Sequence, residues 1–594
     1  MNALKRVVVL GAAVLVSTAG EIWTQAILHV DGNARPPGIG TPSAPFTYIQ
    51  SAIASAANGD VVRVAPATYF ENLDFLGKSI QVIGVSGSAA TIVDGCRLGP
   101  VVRFRGGEGS QAVLEGFTLR NGRGGTSPGI YFGSSLYRGG NGEGGGIHMV
   151  QATPVIRSCV IEANIGGDGE VAAPPAEIDA SGGRGGAGGI ECVAASPTVE
   201  DCTIVANLGG LPGNADLTVA GFGGDGGDGG IGGSGMGLVL RRTTVAANVG
   251  TPGATGSGDE GWGGGGGVDI DGVQSVVIER TIIEGNVAGF GGADAPAGGV
   301  TIRGSAAWLV DCLIASNDGA SNGAGGIVLQ AGSLALVHVT VVANTGAAVG
   351  GLEIRGPGLA SIVNSILWGN QAALPGPTSE IGWPPAYVPP LVATSAVQGG
   401  FAGNGVIASD PSFRNAATGD WRLRAESPCI DAADPVFAQI HDFDLEGNPR
   451  SVGGGPDMGA FESCFIGTLE DLILLSDAGG GDYEKCLKVA LAGASLSIYY
   501  ASPGGGFAGE PALLAVDLLP LGLEPAPVLG LPAIHLSSFA FVLQSGPLPP
   551  AGSLLTFLVP PTVAGFHARF QAFVAAAGAA NGSFAASSAH DIAF

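Results

Sequence analysis

Seven segments of this 594-residue chain share one pattern: a small residue, two aliphatic-rich positions, two further residues and an asparagine. They are CVIEAN (159–164), CTIVAN (202–207), TTVAAN (243–248), TIIEGN (281–286), CLIASN (312–317), VTVVAN (339–344) and SILWGN (365–370). The asparagines follow one another at intervals of 43, 41, 38, 31, 27 and 26 residues. Repetition at a few tens of residues marks an array of stacked units. The shrinking interval indicates one structural coil whose insertion shortens from copy to copy.

Two short apolar segments precede each asparagine segment. The first opens with glycine: GGGIHMV (144–150), GGIECV (188–193), GMGLVL (235–240), GGVDID (266–271), GGVTIR (298–303), GGIVLQ (325–330) and GGLEIR (350–355). The second segments are TPVIRS, SPTVED, LVLRRT, SVVIER, AWLVD, LALVH and LASIVN. Segments this short, with alternating polarity and many Val and Ile residues, are typical of β-strands. Three strands in about 26 residues, with no helical pattern between them, predict an all-β, right-handed parallel β-helix.

Stacked coils predict columns of buried side chains. The expected inward columns are Ile147, Ile190, Val268, Val300, Ile327 and Leu352; Met149, Cys192, Ile270, Ile302, Leu329 and Ile354; and Ile161, Ile204, Val245, Ile283, Ile314, Val341 and Leu367. The asparagines should form a ladder at one corner, where their amides bond along the stack and tolerate a left-handed backbone.

The N-terminal region resembles the start of pectin-lyase-like β-helix proteins. The similarity rests on "FTYIQSAI", "GDVVRVAPATYFENLDF" and "KSIQVIG" within residues 45–95. It implies a cap with a helix over Ser51–Ala57, ended by Gly59, and a first rung at Val61–Val64. It implies nothing about activity, because one fold hosts many functions.

Two further resemblances concern the repeats and the end of the solenoid. The pairing of GG[ILV] with [IV]xxN is similar to the repeats of polymorphic outer-membrane adhesins, although glycine replaces their alanine and an aliphatic residue replaces their phenylalanine. Residues 410–462, with DPSF, GDWRL, SPCIDA, DFDLEGNPR and PDMGAFE, resemble the closing segment of secreted bacterial β-helix proteins. This segment should cap the C-terminal end of the solenoid.

These features divide the chain into five parts. Residues 1–26 form a signal peptide, 27–100 an N-terminal cap with the first coils, 101–400 the coils with glycine-rich insertions, and 401–462 the C-terminal cap. In 463–594, apolar runs alternate with Pro and Gly turns, which predicts an antiparallel β-sandwich accessory domain.

The N-terminus carries the signs of export. Lys5 and Arg6 precede the apolar run Val7–Val16, which is too short to span a bilayer. Cleavage after Ala26 is the preferred interpretation and cleavage after Ala19 the alternative. The protein is therefore expected to be secreted or displayed at the cell surface, with no transmembrane segment after cleavage.

Charge narrows the possible partners. The net charge is −25, and no lysine lies between Lys78 and Lys485. An acidic solenoid without a basic stripe is a poor partner for nucleic acid or anionic lipid. An extracellular polysaccharide or a cell-surface partner fits better.

The positions of the eight cysteines do not predict a single disulfide framework. Cys159, Cys202 and Cys312 share a column with threonines, and Cys192 stands at an aliphatic position, so these four should be small buried residues. A bridge between Cys159 and Cys202, on adjacent coils, is conceivable. Cys464 and Cys486 lie outside the repeat and are the preferred disulfide pair.

Familiar enzymes of this fold carry motifs that can be checked. The WIDH and RxPxxR signatures of pectate lyases, the NTD, DD and GHG motifs of polygalacturonases, and the GYQDTLY and DFIFG motifs of pectin methylesterases are all absent. The seven scattered histidines form no HExxH motif or Cys/His cluster, which argues against zinc or a His-based nucleophilic site.

One face could still carry chemistry. The outward positions of the GG strands run His148, Glu191, Gly237, Asp269, Thr301, Val328 and Glu353, followed by Val150, Val193, Val239, Asp271, Arg303, Gln330 and Arg355. Asp269, Asp271, Arg303, Glu353 and Arg355 are thus candidate catalytic or sugar-binding residues on one exposed face. The alternative is a set of solvated, loosely paired charges.

Calcium is the one cofactor that the sequence suggests. DFDLEGN offers Asp442, Asp444, Glu446 and Asn448, with Asp457 nearby, as ligands of a structural Ca²⁺, although it lacks the full EF-hand pattern. The insertions also carry acids, including Asp168, Glu177, Asp228, Asp259 and Asp294, in sequence that otherwise reads as solvated loops or packed polyglycine strands.

The sequence favours an exported, non-catalytic β-helix protein that acts in surface display, adhesion or extracellular glycan binding through its ridge of insertions. The alternative is a polysaccharide lyase or glycoside hydrolase that uses the outer face of the β-helix.

Overall fold

The structure, a computed structural model, describes residues 25–594 except 133–135, 173–178, 215–220, 257–259, 273, 293–294, 322, 373–378, 425–426, 438–439, 451–454, 464–470, 479–486, 492, 521–533, 538–539, 564, 580 and 582. Most of the predicted signal peptide therefore lies outside the described residues. None of the helices in the described part of the chain has the length and apolar character that a bilayer crossing requires.

Three columns of stacked parallel strands confirm the all-β, parallel β-helix prediction. We name them the GG strands, the second strands and the asparagine strands. The GG strands are Leu73–Asp74, Val102–Phe104, Ile147–Val150, Ile190–Val193, Ile231–Ser234, Val268–Asp271, the start of Val300–Val310, the start of Ile327–Val337, Leu352–Ile354 and Ile381–Gly382.

The second strands are Ile27–Val30, Val61–Val64, Gln81–Gly84, Val113–Glu115, Val155–Arg157, Thr198–Glu200, Leu238–Arg241, Ser275–Glu279, the ends of Val300–Val310 and Ile327–Val337, Leu359–Val363, Leu391–Ala393 and Gly403–Asn404. The asparagine strands are Ala67–Tyr69, Thr91–Asp94, Thr118–Arg120, Val160–Glu162, Thr203–Val205, Thr244–Ala246, Ile282–Glu284, Leu313–Ala315, Thr340–Val342, Ile366–Trp368 and Ala396–Val397.

The register places the predicted inward side chains over one another. Ile147 pairs with Ile190, and the series continues through Val268, Val300 and Ile327. These residues and the two other predicted columns lie in one continuous buried core.

One coil departs from the predicted register. The GG strand of that coil is Ile231–Ser234, whereas the predicted GMGLVL mostly supplies the second strand, Leu238–Arg241. Gly232, not Gly237, pairs with Glu191 at the outward position. A Cβ on Gly232 would lie 1.7 Å from Oδ2 of Asp228. The position must be glycine because the Asp228 carboxylate occupies the space of a side chain.

The asparagine ladder is present and fully hydrogen-bonded. Asn248 donates from its backbone N and its Nδ2 to Oδ1 of Asn286, at 3.0 Å each, and its Nδ2 also donates to the Ile204 carbonyl at 2.9 Å. The same bonds join each of the seven asparagines to the next. After Asn370 the acceptor is the Glu380 carboxylate. Burial, opposed by these bonds, raises the pKa of Glu380 to about 7.

The expectation that the asparagines themselves take a left-handed backbone is wrong. The residue before each asparagine does so instead, with φ between 51° and 70°: Ala163, Ala206, Ala247, Gly285, Ser316, Ala343 and Gly369. The asparagine is free to point inward because the preceding residue turns the corner.

The N-terminal cap contains the short helix Ile49–Ser55, two residues before the predicted position. Glu71 accepts hydrogen bonds from the first two amides of the helix, at 2.8 and 2.9 Å. Lys78 donates from Nζ to the carbonyls of Ile53, Ala54 and Ala56 at 2.7–2.8 Å, which satisfies the other end. Both ends need such partners because a helix leaves its terminal amides and carbonyls unpaired.

The glycine-rich insertions pack into a two-row lattice, which we call the glycine bundle. The outer row consists of 122–126, 165–172, 208–214, 249–254 and 287–290, and the inner row of 139–146, 181–189, 222–230 and 260–267. Along each segment the backbone amides follow a three-residue period. The first amide donates to the next segment of the same row, the second donates to the other row, and the third residue faces away from both rows. In segment 165–172, Gly166 and Gly169 donate to Leu208 and Leu211 of the same row, whereas Gly167 and Glu170 donate to Glu143 and Gly140 of the inner row.

This lattice requires glycine because its chains touch through their backbones. A Cβ on Gly166 would lie 1.9 Å from the Gly186 carbonyl oxygen, and one on Gly210 would lie 1.9 Å from that of Gly167. The sequence left two structures open for the insertions, solvated loops or packed polyglycine strands. The structure shows packed polyglycine strands. Beside the bundle lies a small sheet formed by Ile130–Phe132, Leu136–Arg138, Asp179–Ser181 and Gly221–Phe222.

The closing segment, residues 410–462, folds against the last coils, whereas Gly403–Asn404 at the start of the predicted cap 401–462 still stacks on the coil strand Leu391–Ala393. Its hairpin pairs Phe413–Asn415 with Asp420–Leu423, joined by the 3-10 turn Ala416–Thr418. Trp421 packs on Leu313, Ala315 and Val342, the outward residues of the asparagine strands. Strands Thr345–Gly346 and Gln371–Ala372 form a further parallel pair at the adjacent corner.

The C-terminal region forms two sheets around a common core, as predicted. One sheet contains Ile473–Asp477, Ser495–Ala501 and Ser553–Leu558, and the other contains Leu487–Val489, Phe584–Ala593, Phe566–Ala575, Pro511–Pro520 and Phe541–Pro547. The pairing is antiparallel except between Leu487–Val489 and Phe584–Ala593, which run parallel.

Candidate functional site

The outward face of the GG strands was the predicted site of chemistry, and the inner row of the glycine bundle covers it. Glu191 and Asp269 are 4% and 3% exposed, so this part of the face is closed to solvent. The prediction of one exposed face is therefore wrong for Asp269, and Glu191, at an outward position of the same strand column, is buried with it. Asp271, at the end of its strand, is exposed.

The structure separates the five candidate residues into two pairs and one isolated acid. Asp269 forms an ion pair with Arg303, whose Nε also donates to Oε1 of Gln330 at 3.0 Å. Arg303 lies in register with Asp271, yet its guanidinium extends to Asp269. Because these groups already satisfy one another, they form no open cluster with a poised acid and base.

The second pair lies further along the same face. The Arg355 guanidinium contacts the Glu353 carboxylate at 2.7 Å and reaches the Ala295 carbonyl in a neighbouring insertion. Arg355 therefore fastens an insertion to the coil.

A buried charge layer joins the inner row to the coils. Arg184 of the inner row forms an ion pair with Asp228 and lies 3.9 Å from Glu191 on its GG strand. Asp228 also accepts a hydrogen bond from the Gly265 amide at 2.7 Å, and the Glu191 carboxylate accepts one from Ala187. Together with Asp269 and Arg303, the layer contains three acids and two arginines.

Burial shifts the pKa values of two acids in this layer. It raises the pKa of the Asp228 carboxyl well above its ordinary range, although Arg184 opposes the shift, and it also raises the pKa of Glu191. Acids with raised pKa values occur in active sites, but structural ion-pair networks perturb pKa values as well. Because the glycine bundle seals these acids, they hold the bundle on the β-helix and have no path to a substrate.

Sequence reasoning overlooked Arg184, although a signal was present. It is the one Lys or Arg residue between Arg157 and Arg241, and it lies inside the glycine tract SGGRGGAGG. A single arginine among glycines and acids indicates a buried ion pair, since an exposed loop has no need for it.

The proposed calcium ligands mostly have other partners. Asp444 accepts hydrogen bonds from the amides of Asn448 and Glu462, and Asp457 from those of Asp431 and Ser463. The described residues contain no group of three or more His, Cys, Asp or Glu side chains arranged to hold a metal ion. Calcium binding at Asp442, Asp444, Glu446, Asn448 and Asp457 stays a prediction.

The insertion acids have similar roles where they are described. Asp168 pairs with Arg123 at 2.7 Å, and Asp225 accepts the Trp262 amide at 2.8 Å. Glu177, Asp259 and Asp294 lie outside the described residues.

The cysteine predictions hold where they can be examined. Cys159, Cys192, Cys202 and Cys312 are buried, unbridged thiols. The Cys159 amide donates to Sγ of Cys202 at 3.4 Å, which makes the pair neighbours without a disulfide. The predicted bridge between Cys464 and Cys486 lies outside the described residues.

Histidine and arginine hold the closing segment on the coils. The fully buried Arg450 forms an ion pair with Asp311 and donates to the Gly459 carbonyl at 3.1 Å. His441 lies 2.8 Å from Oδ2 of Asp311 through Nδ1 and 3.3 Å from Oε1 of Glu279 through Nε2. His441 and Arg450 belong to the closing segment, and both acids belong to the coils.

This contact predicts a pH-dependent contribution to stability. The hydrogen bond to Asp311, opposed by burial, raises the pKa of His441 above its ordinary value of 6.5. A raised folded-state pKa gives stability that is fully present below the unfolded-state pKa and lost as the pH rises through the folded-state pKa. We therefore expect His441→Gln to cost about 1 kcal/mol at pH 5.5 and much less at pH 8.5.

Thermal unfolding of the two proteins between pH 5 and 9 checks this expectation. The nearby His338, whose pKa burial lowers to about 3, stays neutral between pH 5 and 9 in both proteins, so it adds no pH dependence to the difference. A difference in Tm that stays constant or grows toward pH 8.5 would contradict the assignment.

Comparison with known proteins adds little to this geometry. No protein-family model and no curated protein matches the chain. Among solved structures, the crystal structure of pectate lyase Pel9A matches with a TM-score of 0.35 and 16% identity over 74% of this chain and 96% of that chain. The complex structure of XylC with xylose gives 0.28 and 9% over 73% and 98%, and a rhamnogalacturonan lyase gives 0.27 and 13% over 71% and 94%. These similarities are too low to carry an argument about chemistry, so the fold assignment rests on the parallel strand ladders themselves.

Proposed function

We propose that this protein is an exported, non-catalytic β-helix that works by adhesion to extracellular polysaccharide or cell-surface glycan, with the glycine bundle as its display surface. The observation that carries the proposal is the closure of the GG-strand face. On that face, Glu191 and Asp269 are buried and lie beside arginines, and Asp228 of the covering inner row is buried and paired with Arg184. An enzyme that acted there would need a solvent-open cleft.

The outer row supplies the display surface. The side chains that face away from both rows are stacked in a regular array, because equivalent positions of successive insertions pair in parallel from Ile165 through Leu208 and Val249 to Val287. Several of these side chains are large, apolar and exposed: Val171, Leu208, Leu211, Val249 and Phe290. Exposed apolar side chains arranged in a regular array are typical of interaction sites.

The rigidity of the bundle favours adhesion. Each segment is held by hydrogen bonds to its own row and to the other row. A surface that is ordered before binding loses little conformational entropy on association. Export and adhesion together explain why a secreted chain would build such a lattice and leave apolar side chains on its outer face.

The proposal is tested with the purified chain on a panel of insoluble polysaccharides, polyuronates and neutral glycans, with and without calcium. We expect retention on at least one glycan, no release of reducing ends or unsaturated products, and roughly tenfold weaker retention for a Leu211→Lys/Phe290→Lys variant, since two hydrophobic contacts are lost. Leu98→Lys, at an exposed apolar residue outside the bundle, is the matched control and should bind normally.

Two results would overturn the proposal. Product release that disappears in Asp271→Ala or Arg303→Ala would establish the alternative, a polysaccharide lyase or glycoside hydrolase acting on the outer face. Glycan retention that is equal in the bundle variant and the control would remove the glycine bundle from adhesion.

A further inference from the structure

An open cleft lies where the last coils meet the hairpin of the closing segment. Its volume is about 590 Å³. Pockets for small ligands occupy roughly 300–1,000 Å³. The cleft is separate from the sealed GG-strand face, because it is built on the asparagine strands. It is therefore a distinct place at which a ligand can bind.

Three aromatic residues line this cleft. Trp368 ends the strand Ile366–Trp368 and is only partly buried. Phe413 and Trp421 belong to the hairpin, with ring centroids 5.2 Å apart and an interplanar angle of 87°. Trp421 is held by its packing on the coils, and Trp368 is held in register with Val342. The partly exposed rings of Trp368 and Phe413 therefore supply the apolar surface of the cleft, and the buried Trp421 packs against Phe413.

Polar groups stand at the rim of the cleft. They are the carboxylate of Asp410, the hydroxyl of Ser412 and the guanidinium of Arg424. The Ser412 amide donates to Oδ1 of Asp410 at 2.8 Å, and Arg424 donates from Nε to the Phe413 carbonyl at 3.2 Å. These bonds fix the rim on the hairpin. One acid and one base leave it without net charge.

This arrangement matches a ligand with a flat apolar face and hydroxyl groups around its edge. Pyranose rings have that form: their C–H faces pack on aromatic rings, and their hydroxyls bond to carboxylate and guanidinium groups. A polyuronate is disfavoured, because the whole chain carries a net charge of −25.

We infer that this cleft is a binding subsite for a neutral saccharide, with Trp368 as its main contact and Asp410 and Arg424 as hydrogen-bonding partners. The inference rests on the proposed glycan-binding function and adds a second contact to it. The outer row would bind an extended surface, and the cleft would bind a short segment of a single glycan chain. One molecule would then contact its target at two places.

The experiment titrates soluble neutral oligosaccharides and oligogalacturonates into the full chain by isothermal calorimetry, with saturation-transfer NMR to identify contacted sugar protons. We expect neutral oligosaccharides to bind, Trp368→Ala to lose at least tenfold in affinity, and Trp368→Tyr to keep most of it. Asp410→Asn, at an exposed rim residue, should weaken binding several-fold without changing Tm. If Trp368→Ala fails to fold, the binding affinity of Asp410→Asn still tests the cleft.

The outcomes separate this inference from the proposed function. Oligosaccharide binding that is unchanged in both Trp368→Ala and Asp410→Asn overturns the cleft and leaves glycan adhesion standing. An absence of oligosaccharide binding, with insoluble glycans still retained through the glycine bundle, also overturns the cleft alone. Tighter binding of oligogalacturonates than of neutral sugars overturns the assignment of a neutral ligand. Loss of retention in Leu211→Lys/Phe290→Lys, with cleft binding intact, supports both.

Discussion

Replacing Gly186 with alanine should destabilise the protein by at least about 3 kcal/mol and sharply reduce the yield of soluble chain. The added Cβ would lie 2.1 Å from the Glu143 carbonyl oxygen, and real Cβ atoms do not approach a heavy atom so closely. The backbone cannot move aside cheaply. Gly186 donates to Gly167 at 2.8 Å and accepts from Gly210 at 2.9 Å, so a shift that relieved the clash would break bonds that join the inner row to the outer row.

Chemical and thermal unfolding of Gly186→Ala and Gly109→Ala measure this effect. Gly109 is the matched control, since no heavy atom beyond its chain neighbours lies within 4 Å of the Cβ that an alanine would add. The control should stay within about 0.5 kcal/mol of the parent. Equal stability of the two variants would mean that the glycine lattice does not exist in solution.

Replacing Asn286 with alanine should cost about 3–5 kcal/mol, because the change leaves several buried polar groups without partners. The backbone N and Nδ2 of Asn248 would lose their shared acceptor, and the Val245 carbonyl would lose the donor that now lies at 2.9 Å. Asn286 is fully buried, so water cannot replace these bonds without opening the corner.

The control for this prediction is Asn415→Ala. Asn415 is exposed, and its side chain makes no capping bond to the turn that follows. Denaturant unfolding should show a change of less than about 0.5 kcal/mol for the control. A loss for Asn286→Ala as small as that of the control would remove the ladder as a source of stability.

Side-chain periodicity was enough to predict the β-helix and its columns. A residue such as Ile283 recurs at one position of every coil because every coil buries the same face. The prediction failed where that periodicity disappears. In the tract that contains Gly232, glycine follows glycine, so nothing in the sequence marks where the strand begins, and the predicted outward position, Gly237, lies five residues too late.

The environment of the candidate site was harder to predict, because it depends on contacts between insertions far apart in sequence. Asp269 reads as an exposed acid on its own strand. Its burial follows from the lattice above it, in which Arg184 and Asp228 come from two different insertions. The aromatic cleft is hidden from the sequence for the same reason: Trp368 belongs to a coil repeat and Trp421 to the closing segment, 53 residues apart, and only their packing brings them together.

The shared hydrogen bonds of the glycine bundle also limit how such a protein can change in length. Segment 181–189 is bonded to 165–172 and 222–230, and 208–214 donates to it in turn. Shortening one segment in the middle of the bundle would remove hydrogen-bond partners from the segments on both sides of it. Shortening the last segment, where the insertions are smallest, would remove partners from one neighbour only. Gradual tapering from 43 to 26 residues is what this mutual dependence allows. Whole coils should therefore be gained or lost at the end of the solenoid that contains Asn370, the last asparagine of the ladder.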